Sequence, residues 1–148
     1  MPYWFDGNSL VGRSAAELRD DRQTRRGFLE LLSRLHLSRG GTFEVFFDGD
    51  DPDRAKPPRG VRVRYSAPFS ADDWILKRVA EIRTPGEVTV VTNDHALASA
   101  CRDAGVRTMD WGRFTRGIRY RRDANGKEEP VDVRDWVRFF GIEDGSLE

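Results

Sequence analysis

The sequence predicts an α/β domain of three layers, with helices on both faces of a mostly parallel central sheet. Three observations carry that expectation. Short apolar runs, rich in β-branched and aromatic residues, alternate along the chain with segments of helical periodicity. The most strongly β-branched of these runs, "EVTVVTND", has the composition of a buried parallel strand. The length, 148 residues, suits about one domain with a sizeable core.

Pro2 to Phe5 reads as a first strand, followed in "DGNSLVG" by a sharp, glycine-assisted turn. Within "DRQTRRGFLELLSRLHL", Phe28, Leu31, Leu32 and Leu35 form the stripe of a helix packed on a core, stopped by Gly40 and Gly41. Thr42 to Phe47 is the second strand. Pro52, Pro57 and Pro58 make "DDPDRAKPPRG" a loop. "VRVRY" alternates with period two, as a strand near a sheet edge does. In "SADDWILKRVAEIR", Ser70 and Asp73 read as a capping box, and Ile75, Val79 and Ile82 as the apolar face. "EVTVVTND" is then a central strand, "HALASACRDAG" a helix closed by Gly105, "VRTM" a last strand and "DWGRFTRGI" a short helix. These elements make up a domain over residues 1–117. Residues 118–148 read as an extension on the same domain, a hairpin at Asn125-Gly126 and an amphipathic helix carrying Val133, Trp136, Val137 and Phe140.

Composition narrows the function classes. Lysine plus arginine equals aspartate plus glutamate, 25 against 25, so whole-chain charge does not single out a nucleic-acid partner. The single Cys101 excludes an internal disulfide framework and a cysteine zinc cage. With no signal pattern and no long apolar run, a cytoplasmic protein without membrane association is expected. No glycine fingerprint for a dinucleotide and no phosphate-loop lysine appears. "DGDDPD" fails as a calcium loop, because Pro52 and Asp53 occupy positions that need other residues.

The informative pattern is the acids. In a parallel sheet all carboxyl ends share one edge, where such folds put their ligand sites. Asp6 follows "PYWF", Asp48 follows "EVFF" and Asp94 follows "VTVVTN", and the helix start at Asp72 and Asp73 offers a further carboxylate. Gathered carboxylates repel one another unless a cation sits among them or protons are shared. Hard oxygen donors suit Mg²⁺ or Mn²⁺, and such an ion serves phosphodiester hydrolysis. Each acid also has a plain alternative. Asp50, Asp51 and Asp53 read as loop acids beside prolines, Asp73 as the partner of the Ser70 cap, and Asp94 as a possible helix cap. Those roles do not account for the same arrangement on three strands.

The segments "YWFDGNSLVG", "EVFFDG", "SADDWILKRVAE" and "VTVVTNDHAL", in this order, resemble the YacP-like members of the NYN family over roughly residues 2–115. The resemblance implies a PIN-like fold and a metal-dependent ribonuclease. It implies Asp6, Asp48, Asp72 and Asp94 as the catalytic and Mg²⁺- or Mn²⁺-holding residues, with Asn8, Ser9, Asp73 and Asn93 in support. The family usually carries Asn where this chain has Ser9. Either Asn8 reaches the site instead, or the Ser9 hydroxyl replaces the amide.

Single-stranded RNA as substrate requires cations near the acids. Arg54, Lys56, Arg59, Arg62 and Arg64 are the favoured run, Arg113, Arg116, Arg119, Arg121 and Arg122 the second, with Tyr65, Phe69 or Tyr120 available for base stacking. Charged runs are also ordinary solvated surface, and the arginines of "VRVRY" suit the wet face of an edge strand. His95 reads as a surface side chain, His36 and Cys101 as structural, and Trp74 as partly buried. The competing reading is a non-catalytic RNA- or ribosome-binding module on the same fold. A phosphatase with a covalent aspartate ranks last, since none of Lys56, Lys77 and Lys127 follows a strand.

Overall fold

A computed structural model of the chain describes residues 2–11, 22–49 and 56–116. Its elements run β1 (Pro2–Asp6), α1 (Gly7–Val11), α2 (Arg22–Arg39), β2 (Thr42–Phe47), β3 (Val61–Tyr65) and α3 (Ala71–Glu81). A 3₁₀ turn at Pro85–Glu87 leads to β4 (Thr89–Val91), α4 (His95–Asp103) and β5 (Arg107–Met109), and a short helix, α5, covers 111–116. The five strands form one sheet in the order β3-β2-β1-β4-β5, with every adjacent pair parallel. The expected α/β class is what the chain adopts. β1 is the central strand, and β4 lies between β1 and β5.

Alternation along the strands divides the core into two layers. Tyr3, Phe5, Phe43 and Val45 face α2, whose Phe28, Leu31, Leu32 and Leu35 are all almost wholly buried, with Phe114 of α5 beside them. Trp4, Phe46 and Val90 point the other way, onto Ile75 and Val79 of α3 and Leu97 and Cys101 of α4. β3 is the edge that "VRVRY" promised: Val61 is buried while Arg62 and Arg64 are exposed. Ser70 caps α3, its hydroxyl accepting from Asp73 N at 3.1 Å.

One stretch departs from the sequence reading. "GNSLV" is not a turn but the helix α1. Glycine, asparagine and serine are weak helix formers, so propensity argued otherwise. Packing decides: Val11 is buried, Leu10 lies against the core, and Gly7 sits where β2 passes closely. A Cβ on Gly7 would collide with the Phe47 ring and stand 3.1 Å from Phe46 O. His36 is structural as expected, with Nε2 2.8 Å from Gly41 O and its ring edge-on to Phe43. The expected hairpin and helix of 118–148, Arg119, Tyr120, Arg121 and Arg122, the loop acids Asp50, Asp51 and Asp53, and Arg54 lie outside the described residues.

Candidate metal centre

From β1 the chain steps outward through β2 and β3, then crosses back to β4 and β5 on the other side. The order therefore reverses between β1 and β4, the place where open α/β sheets leave a crevice at their carboxyl ends. Asp6 is the last residue of β1, and β4 leads through Thr92 and Asn93 to Asp94. Topology alone thus brings these two acids side by side.

Hydrogen bonds then fix them. Asp6 is only 2% exposed, and Thr92 Oγ1 donates to its Oδ2 at 2.8 Å. The same hydroxyl accepts from Asp94 N at 3.0 Å and lies 3.1 Å from Ser9 Oγ. Asp94 caps α4: its Oδ1 accepts from Ala96 N at 2.9 Å and Leu97 N at 3.1 Å. Asp72 comes from the first turn of α3. One carboxylate oxygen each from Asp6, Asp72 and Asp94 lie within 4.8 Å of one another.

Asp48 stands outside that trio. One of its oxygens accepts from Ala71 N, and its own N–H donates to Asn8 Oδ1 at 2.8 Å. It ties the end of β2 to the start of α3 and holds the chain that carries Asp72. Its charge still reaches both Asp6 and Asp72.

The electrostatics are those of crowded anions. Burial raises the Asp6 carboxyl above its ordinary value, hydrogen bonds from Thr92 and Ser9 pull it back, and the charges of Asp94 and Asp48 push it up again. Asp72 is pushed up to about 7, first by burial, then by the charges of Asp6 and Asp94 and a hydrogen bond with Asp94. Neither set of causes includes a cationic partner. Without a cation, a proton on Asp72 relieves the repulsion. A divalent ion does the same with harder chemistry, and three carboxylates from three elements are a donor set that fits Mg²⁺ or Mn²⁺.

The supporting residues divide. Asn8 and Ser9 both serve the site: Asn8 holds Asp48, and Ser9 Oγ bonds Asp6 O at 3.3 Å and accepts from Asn93 N at 3.1 Å. Asn8 thus reaches the tip of β2, while Ser9 bridges the end of β1 to the segment after β4. Asn93 turns away, its Oδ1 accepting from Trp111 N at 3.2 Å at the start of α5. Asp73 is exposed and serves the helix start. Thr92 was missed by the sequence reading. In "VTVVTND" a threonine looks like strand composition; the clue was its place two residues before a capping aspartate, where its hydroxyl meets that residue's N–H.

The described members of the favoured basic run are spread over the sheet. A parallel crossover must return the chain to the amino edge before β3 begins, so Arg59 lies at the edge opposite the acids. Its carbonyl accepts from Ser33 Oγ of α2 at 2.6 Å. Lys56 is exposed in the segment entering that edge, and Arg62 is exposed on β3. Arg64 is committed: with Arg78 it donates to Glu44, each at 2.7 Å. Burial would raise Glu44, but those two hydrogen bonds outweigh it and hold the carboxyl below its ordinary value. By contrast α5 starts at the carboxyl edge, and its Arg113 and Arg116 are exposed. Among the described residues, the start of α5, bonded to Asn93, is at the edge of the acids, and Arg59 is at the opposite one. His95 is exposed, Trp74 is half-buried, and burial pushes the Cys101 thiol up to about 11.

The family model of the YacP-like NYN domain matches residues 6–131. The chain belongs to the YacP-like NYN domain family. Among solved structures, Rae1 (YacP) from Bacillus subtilis, crystallised as a single-residue variant, is similar at a TM-score of 0.63 and 19% identity. That likeness covers 93% of this chain and 90% of the other, and it is a likeness of fold. No curated protein matches the chain significantly. The NYN domain has a PIN-like nuclease fold, and here its acids gather at the switch point of the sheet. Among the described residues, no helix is long and apolar enough to cross a membrane.

Proposed function

We propose that this NYN domain is an endoribonuclease that uses Mg²⁺ or Mn²⁺ to hydrolyse phosphodiesters of single-stranded RNA. The observation that carries it is the convergence of Asp6, Asp72 and Asp94, from three separate elements, within 4.8 Å. These three would hold the ion. When bound, the ion supplies charge neutralisation at the scissile phosphate and activation of a water for in-line displacement. The chain's own residues supply placement. Thr92 holds Asp6 and positions Asp94, Asn8 orients Asp48, and Asp48 fixes the first turn of α3 so that Asp72 points at the others. Arg113 and Arg116 offer the positive surface that a polyanion needs near this rim.

The test is cleavage of an end-labelled single-stranded RNA in Mn²⁺, in EDTA, and by an Asp94→Asn variant. Asparagine caps a helix as well as aspartate does, so this change removes a ligand and spares the helix start. Cutting in Mn²⁺ that disappears in both controls is expected. Wild-type protein that binds Mn²⁺ and RNA yet never cuts would instead establish the non-catalytic binding module.

A further inference from the structure

We infer that Phe69 is a stacking platform for a nucleobase of the substrate and Lys77 its phosphate contact; the inference rests on the ribonuclease reading above. Among the described residues only two large apolar side chains are exposed, Leu37 at 76% and Phe69 at 46%. Leu37 is in the last turn of α2, at the amino edge. Phe69 is at the carboxyl edge, between the end of β3 and the start of α3, three residues before Asp72.

Its turn is held firmly. Ser66 N donates to Phe47 O at 3.0 Å and Ala67 N to Gly49 O at 3.1 Å, which lace the turn to the tip of β2. Phe69 N donates to Ser66 O at 2.7 Å, and the buried Ser66 hydroxyl donates to Phe69 O at 2.6 Å. The ring is thus presented by fixed backbone at the carboxyl edge, three residues before Asp72 in the chain. Trp74 lies 6.2 Å from it, centroid to centroid, and Lys77 Nζ is 5.3 Å from its centre.

A plain role exists. Phe69 and Trp74 flank the Ser70 cap at the positions of a hydrophobic staple, which fixes how the chain enters a helix. Leucine would serve that purpose equally. The staple leaves unexplained an aromatic ring nearly half exposed, with a cation beside it, at the edge of the sheet where the acids gather. A ring that accepts a base and an ammonium that accepts the neighbouring phosphate are the two parts of a single-strand platform. Base stacking is sequence-tolerant, so the platform would register the strand without selecting its sequence.

Phe69→Leu keeps the staple and removes the platform, and Phe69→Trp restores a stacking face. Affinity for a fluorescein-labelled single-stranded RNA, read by anisotropy, should fall roughly tenfold in the leucine variant and return in the tryptophan one. Melting temperatures should stay together. Lys77→Gln should weaken binding and lower the salt dependence by about one phosphate. Unchanged affinity in Phe69→Leu, or an equal loss in the leucine and tryptophan variants, overturns the inference. Cleavage in Mn²⁺, run on the same proteins, separates the two readings. Cutting with Phe69-independent affinity sinks the platform alone. Phe69-dependent binding without any cutting sinks the nuclease reading alone.

Discussion

Thr92 shows how one side chain can organise two carboxylates without being a ligand. Its hydroxyl donates to the buried Asp6 and accepts from Asp94 N, so the two acids are set relative to each other by one oxygen. Thr92→Val has nearly the same shape but takes from a buried carboxylate the stronger of its two hydroxyl donors. We expect a loss of about 1–3 kcal/mol in metal-free urea unfolding. Thr92→Ser, which gives up only a methyl, should lose about 1 kcal/mol. A valine variant as stable as wild type would refute this role. The aspartates themselves were legible in the sequence, because a carboxylate after each apolar run is a visible pattern. Thr92 was not, since strand propensity explained it already. The role of Asp48 was legible only as an acid at the rim; that it holds Ala71 N depends on where α3 begins in space.

The helices carry their acids at a cost that can be measured. Asp94 caps α4 through Ala96 N and Leu97 N, yet its charge raises both Asp6 and Asp72. The two effects separate by substitution. Asp94→Asn keeps a capping oxygen and removes the repulsion, so in EDTA at pH 8 it should be at least as stable as wild type. Asp94→Ala should fall about 1 kcal/mol below the asparagine variant, the worth of a cap. Urea midpoints check both, and an asparagine variant clearly less stable than wild type would contradict the repulsion. Most elements were readable from periodicity, and α3 also from its cap. α1 was not, because Gly7, Asn8 and Ser9 vote against a helix and only the neighbouring strand overrules them. The place of Arg59, in the basic run after β2, was not legible for a related reason. Nearness in sequence to Asp48 placed Arg59 by the site, while the crossover geometry carries it to the opposite edge.

Taken as one body, the protein gathers repulsion at a single point of a chain whose formal net charge is zero. Asp72 has an ordinary value of 3.8 and a folded value of about 7. Between these pH values the folded state binds more protons than the unfolded one, so stability falls as pH rises. The contribution of the protonated carboxyl is fully present below 3.8 and is lost as pH passes about 7. Metal-free protein should therefore melt at progressively lower temperature from pH 4 to pH 7.5. Mn²⁺ competes with that proton, so its stabilising effect should be small at pH 5 and large at pH 8. At one hundred times the dissociation constant it amounts to about 2.7 kcal/mol. Scanning calorimetry with and without the ion reads both slopes. Equal stabilisation by Mn²⁺ at both pH values would mean that the ion does not replace this proton. The switch point itself was foreseeable only as a rule about parallel sheets; the strand order that puts Asp6 beside Asp94 came from the structure.

The close approach of Gly7 to Phe47 reaches further than the turn it permits. Residue 7 follows the first acid directly, and residue 47 precedes Asp48 directly. The space denied to a methyl at one position is the space filled by a benzyl group at the other. Neither position is free to drift alone: a side chain gained at 7 must be matched by one reduced at 47. The two aspartate-bearing tips are therefore fitted to each other in shape, lock and ward of the same key, quite apart from the charges they carry.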